Sequence, residues 1–228
     1  MDVARAAVEL LEKNKPRQER AKRTYEAILN ATAALLIEVG VERVSTNLIA
    51  ERAGITVPAV YRYFPNKYAV LHALGAVLMD KQNQVCQDWF NAYSIEGGRR
   101  ALLENVHELL TFTYRITKEQ SAGREILQCL RAVAPLQELR LRSHEIVAQQ
   151  FSAMLAQIIG GTEHQQLSVH GRLSVDTGYA IVEMALEDTA IPAADTLREG
   201  AHMISLYWAD VLRQNHLDFA PVAEGTSV

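Results

Sequence analysis

Between Ser45 and Lys67 the chain reads STNLIAERAGITVPAVYRYFPNK, a stretch that leaves room for little except two short helices meeting at a tight turn. Ser45 suits an N-cap, because its hydroxyl can accept one of the N–H groups that open a helix. Ile49, Ala50 and Ala53 then share one inward face. Gly54 follows, where a helix end often needs left-handed backbone that glycine adopts without steric penalty. Ile55 is apolar and placed to plug the angle between the helices. Thr56 stands where it can cap the second helix, and Pro58 near its start loses only an N–H that had no intrahelical partner. Val60 and Phe64 make an apolar stripe, and Pro65 closes the helix. This is the pattern of a helix-turn-helix, whose second helix enters the DNA major groove.

The second helix can be read for contacts. Thr56, at its start, can donate to a phosphate or a base edge. Val57 and Ala59 offer apolar contact suited to thymine methyl groups, and Arg62 can reach either guanine or a phosphate. Upstream, Lys13, Lys15, Arg17, Arg20, Lys22 and Arg23 are accompanied by one acid, Glu19. Alone, such a run is a solvated basic face; beside a helix-turn-helix it reads as a phosphate-facing arm. The net charge of −4 divides into +3 over residues 1–75 and −7 over residues 76–228, so a polyanion is attracted to the N-terminal end.

The rest of the chain is patterned for helices. Ile28, Ala31, Leu35 and Val39 recur at helical spacing, predicting a helix from Gln18 to Val39 ended by Gly40. A weaker pattern, Val3, Ala7, Leu10 and Leu11, allows a short helix over 3–12. A long helix begins at Lys67 and runs to about Asn91. After a loop from Ser94 to Gly98, helices are expected at about 99–116, 122–133, 135–159, 166–189 and 193–215, broken at Pro135, Gly160-Gly161 and Pro192. No segment alternates with period two, so the chain is expected to be all-α. It divides into an extension (1–17), a three-helix DNA-binding unit (18–66) and a helical remainder (67–228). Leu197, Ala201, Ile204, Trp208 and Val211 form a narrow seam on the last helix, while Met203, Leu206 and Tyr207 add apolar surface elsewhere. Gly171, Ser174, Gly178, Ala180 and Ala185 on the helix before permit close approach. Residues alone leave an internal hairpin and a dimer interface equally open.

Composition bounds the function. With 49% hydrophobic and 22% charged residues the chain has a globular balance. No apolar run approaches the length of a membrane span, and the N-terminus, with Asp2, Glu9 and Glu12, does not resemble a signal or transit peptide. Two cysteines, Cys86 and Cys129, make no disulfide framework, which points to a reducing cytoplasm. No Walker loop, nucleophile elbow, dinucleotide fingerprint or zinc motif is present, and the seven histidines are scattered. Neither an enzyme, a metal site nor a cofactor is expected.

Ile49-Ala50-x-x-Ala53-Gly54, Tyr61-Arg62-Tyr63-Phe64 and Pro65-Asn66-Lys67, in register, resemble the start of the TetR family of bacterial transcriptional regulators, with similarity from Arg23 to Leu74. The resemblance implies that Thr46, Tyr61, Tyr63 and Lys67 touch the DNA backbone, although packing is the alternative for both tyrosines. Val57-Pro58 departs from the Lys-Gly or similar pair common in relatives, so the base code is less readable. The resemblance further implies a homodimer built from the last two long helices and binding an inverted-repeat operator on double-stranded DNA. It also implies a small-molecule effector cavity in the later helices, and hence a ligand-released repressor. A helical interaction module that no longer binds DNA is the competing reading.

Overall fold

The structure is a computed structural model that describes residues 9–13, 16, 18–93, 103–159 and 164–215. The expected Ser94–Gly98 loop, the break at Gly160-Gly161, and Lys15 and Arg17 of the basic run lie outside the described residues. So do residues 1–8 of the expected N-terminal helix and the start of the helix expected at 99.

Among the described residues the fold is all-α, with no strand. The elements are α1 (Glu19–Arg43), α2 (Thr46–Arg52), α3 (Val57–Tyr63), α4 (Lys67–Tyr93), α5 (Val106–Glu119), α6 (Gly123–Ala132), α7 (Ala134–Ile159), α8 (His164–Glu187) and α9 (Ala193–Gln214). Gly40, at φ +72° and ψ 163°, breaks the regular part of α1 where expected, leaving one further turn to Arg43. α7 begins at Ala134, so Pro135 falls in its first turn, a position that needs no N–H donor. By length and composition α1 is apolar enough to cross a membrane, contrary to the sequence expectation. Its inner face, Ile28, Ala33, Leu35 and Leu36, is instead buried in the protein core.

Two apolar clusters organise the molecule. The first joins α1, α2 and α3 to the first half of α4 and to α6, through residues such as Ile28, Ile49, Phe64, Leu78, Ile126 and Leu130. The second is formed by the far half of α4 with α5, α7, α8 and α9, around Trp89, Phe90, Phe151, Leu155, Val182 and Trp208. The boundary expected at residues 66/67 is therefore not a break in packing, because α4 and α6 complete the core of the helix-turn-helix unit. α4 contributes buried side chains to both clusters, Val70 and Leu74 to one and Trp89 and Phe90 to the other, as does α7 with Leu136 and Phe151.

Residues 9–13 are not helical, contrary to the pattern over 3–12. They lie along the first core instead. Leu10 packs against it, the Lys13 N–H donates to the Tyr63 carbonyl at 2.8 Å, and Asn66 Nδ2 donates to the Glu9 carbonyl at 2.9 Å. These tertiary bonds outweigh what a single isolated turn of helix offers.

Candidate nucleic-acid interface and helical cavity

The local chemistry of the turn is visible in its geometry. The Ser45 hydroxyl accepts from the Leu48 N–H at 3.3 Å, and Gly54 takes φ +65°. The Ile55 N–H returns to the Ala50 carbonyl, and its side chain packs against the core. Thr56 occupies the N-cap of α3, but its hydroxyl makes no capping bond. The second helical residue is Pro58, which has no N–H, and the Ala59 N–H is taken by the Thr56 carbonyl at 2.9 Å. The exposed hydroxyl is thus left pointing away from the helix's own backbone needs. α2 is held to α1 by a bidentate Arg52–Glu38 pair.

The expected contact residues separate into two groups. Thr46 and Tyr61 come together, their hydroxyls 3.1 Å apart across α2 and α3. Tyr61 is 43% exposed, and Arg62 is exposed on the last turn of α3. Val57 and Ala59 are half-buried beside them. Lys13, Arg20, Lys22 and Arg23 of the basic run are exposed, with Lys22 paired to Glu19.

Tyr63 and Lys67 are engaged within the protein itself. Tyr63 is only 5% exposed, its ring set edge-on to Tyr25, whose own ring stacks on Phe64. This is the packing alternative left open for Tyr63. The Lys67 ammonium donates to the carbonyls of Val41, Glu42 and Val44 at 3.2, 3.4 and 3.1 Å. Those oxygens close the last turn of α1, where a cation is favoured by the helix dipole. A phosphate contact would thus have to replace one of these three bonds. Lys67→Met should therefore lower stability by about 1–2 kcal/mol in urea melts. The salt dependence of DNA binding should stay unchanged; a slope reduced by one unit would restore the phosphate role.

Two features escaped the sequence reading. Asn66 caps α4, its Oδ1 accepting from the Ala69 N–H at 3.0 Å, which explains the Asn before Lys67. The Tyr25 hydroxyl donates to Glu12 at 2.7 Å, tying residues 9–13 to α1. The first had a readable signal, an Asn three residues before an amide at a helix start. The second had none.

A cavity of about 60 Å³ sits in the second core. Its walls come from α4, α5, α7, α8 and α9, with Trp89 and Phe90 facing Leu110, Phe151 and Val182. Tyr179 lines it as well. Cys129 belongs to the first core, and Met184 is exposed. Cys86 is in the wall, and burial pushes its thiol up to about 12; Cys129 is pushed to about 11 by burial and then by Glu125. Both thiols therefore stay protonated at neutral pH, which removes their nucleophilic form.

The α9 seam takes the internal of its two readings. Leu197, Ala201, Ile204, Trp208 and Val211 are all buried within one protomer, Trp208 completely, and Trp208 meets Phe151 edge-on at 5.4 Å. The seam is part of the second core. Small residues do allow close approach, but inside the chain: a Cβ on Gly171 would fall 2.4 Å from Ser152 of α7. The outward faces are different residues. Val169, Leu173 and Met184 on α8, and Met203 and Leu206 on α9, are exposed.

Residues 28–74 match the family model described as bacterial regulatory proteins, tetR family. The chain is 41% identical over 54 residues to the class C tetracycline repressor protein of Escherichia coli, covering 24% of this chain and 25% of that protein. It is 44% identical over 59 residues to the HTH-type transcriptional repressor KstR of Mycolicibacterium smegmatis, covering 25% of this chain and 27% of that one. These matches span about a quarter of the length of each curated relative. Over most of the chain the likeness is one of fold. The TetR family regulator PfmR of Thermus thermophilus superposes with a TM-score of 0.58 at 17% identity, covering 78% of this chain and 97% of that one. SmeT in complex with triclosan superposes at 0.57 and 22% identity, covering 81% and 90%.

Proposed function

Because the chain belongs, through its helix-turn-helix unit, to the TetR family of bacterial regulatory proteins, we propose that it is a cytoplasmic, dimeric transcriptional repressor released from its operator by a small, mainly apolar ligand. The observation that carries this reading is α4. One unbroken helix of 27 residues is buried at one end against the helix-turn-helix and forms, at the other, the wall of an apolar cavity.

Thr56, Val57, Ala59 and Arg62 of α3 are proposed to face the bases, with Thr46, Tyr61 and the Lys13–Arg23 bases facing phosphates. The apolar outward stripe of α8 and α9 is proposed as the dimer face, which sets two α3 helices against two half-sites of an inverted repeat. The cavity is smaller than the ~300 Å³ at the lower end of drug-sized pockets, so a ligand must part its walls. Any tilt of α4 that results is passed to the first core and changes the separation of the recognition helices. The coupling is limited to the ligand's differential affinity for the two arrangements, typically ~1–3 kcal/mol. By the same linkage, operator DNA weakens ligand binding by the same factor. A neighbour in fold has been seen with triclosan, a relative's ligand that fits the proposed apolar class without identifying this one.

Gel shifts with a preferred duplex and a random duplex at two salt concentrations test the DNA-binding reading. Wild-type affinity should fall steeply with salt on both. Arg62→Ala should cost about 1–3 kcal/mol on the preferred duplex and less on the random one if it reads guanine. Equal losses on both would make Arg62 a backbone contact. Binding indifferent to salt would defeat the proposal.

A further inference from the structure

We infer that the cavity takes an uncharged, largely apolar molecule with one polar oxygen, gripped by the hydroxyls of Ser174 and Tyr179 on α8. This rests on the reading of the cavity as the effector site and specifies what that site recognises.

Ser174 and Tyr179 both line the cavity; the Ser174 hydroxyl has no hydrogen-bond partner, and the Tyr179 hydroxyl has only the Cys86 thiol. The residues are buried, at 9% and 6% exposure. Buried polar groups are nearly always satisfied, so one hydroxyl without a partner and another held only by a thiol on one apolar wall need a reason. The Tyr179 phenol is held in place from outside the cavity. The His144 ring stacks on it at 4.2 Å and 11°, and His144 Nδ1 is bonded to Asp176 Oδ1 at 2.7 Å. Arg172 Nε donates to the other oxygen of the same carboxylate at 2.6 Å. His144 and Asp176 are thus positioning residues, and the phenol cannot swing toward water without losing that stack. The Cys86 thiol in the same wall is a weak partner and stays protonated.

The charge of the ligand follows from the rest of the wall. No lining residue carries a charged side chain. A carboxylate or ammonium would lose its hydration there and meet no counter-charge. Thr113 has already given its hydroxyl hydrogen to the Leu109 carbonyl at 2.9 Å, so Ser174 and Tyr179 are the available donors. Their complement is a hydroxyl or carbonyl oxygen on an otherwise apolar frame.

Calorimetry on the full chain without DNA, at neutral pH, tests this with three probes of one shape: para-propylphenol, propylbenzene and para-propylbenzoate. The phenol should bind about tenfold more tightly than propylbenzene, with the benzoate weakest. Tyr179→Phe and Ser174→Ala should each reduce the phenol's affinity about three- to tenfold and leave propylbenzene unchanged. Tyr179→Phe should hardly lower the melting temperature, because it removes a hydroxyl held only by a thiol and little packing. The inference is overturned if phenol and propylbenzene bind equally, if the benzoate binds as well as the phenol, if neither substitution changes the ratio, or if no probe binds up to its solubility. A separate competition against operator DNA keeps the two readings apart. A phenol that binds as expected but does not displace DNA would count against effector control while upholding the recognition.

Discussion

Leu173→Glu combined with Leu206→Glu should leave a folded monomer whose affinity for an inverted-repeat operator drops by about 10²–10⁴, the gain that tethering two binding modules provides. Leu173 is 53% exposed and Leu206 is 57% exposed in the protomer. Neither side chain fills the core, so a carboxylate at either costs the monomer little. In a dimer joined through α8 and α9 the same carboxylates would be buried facing their own copies, without counter-charges. Sedimentation and gel shift on one preparation give both readouts. An unchanged dimer that still binds DNA would move the interface to another face of the molecule.

Trp208→Ala should act through stability. Trp208 is fully buried between α9 and its neighbours, and its removal leaves a cavity in the second core. The expected loss is about 3–5 kcal/mol. For a chain of this size that lowers the melting temperature by about 6–20 °C. At a temperature where the variant remains folded it should still dimerise, because Trp208 faces inward. Loss of the dimer with no fall in melting temperature would return Trp208 to an interface. The contrast between this variant and the Leu173 and Leu206 pair separates the two faces of α9.

What could be read from the sequence was what local chemistry decides. Ser45 caps, Gly54 turns with positive φ and Gly40 ends the regular part of α1, because each answers to backbone atoms a few residues away. Those signals placed the helix-turn-helix and brought Thr46, Tyr61 and Arg62 to one exposed end. Lys67 shows what the sequence does not display. Its partners are carbonyls 23 to 26 residues earlier, and nothing in a lysine at a helix start announces them. The α9 seam stayed open between two readings for a related reason. Periodicity told which residues share a face, and Leu197 through Val211 do, but not whether that face meets the same chain or a second one. Ser174 and Tyr179 are less legible still. In sequence they are ordinary members of a helix, and only their placement in an apolar wall, with no partner beyond a thiol, sets them apart.

The central claim is that this chain, as a dimer, reads double-stranded DNA with two-fold symmetry. Selection of bound duplexes from a random pool by the purified protein tests it most directly. The account predicts enrichment of two half-sites in inverted orientation, depleted when salt is raised and lost with Leu173→Glu/Leu206→Glu. A pool that yields no common sequence, or a single unrepeated site bound equally well by that variant, would contradict it.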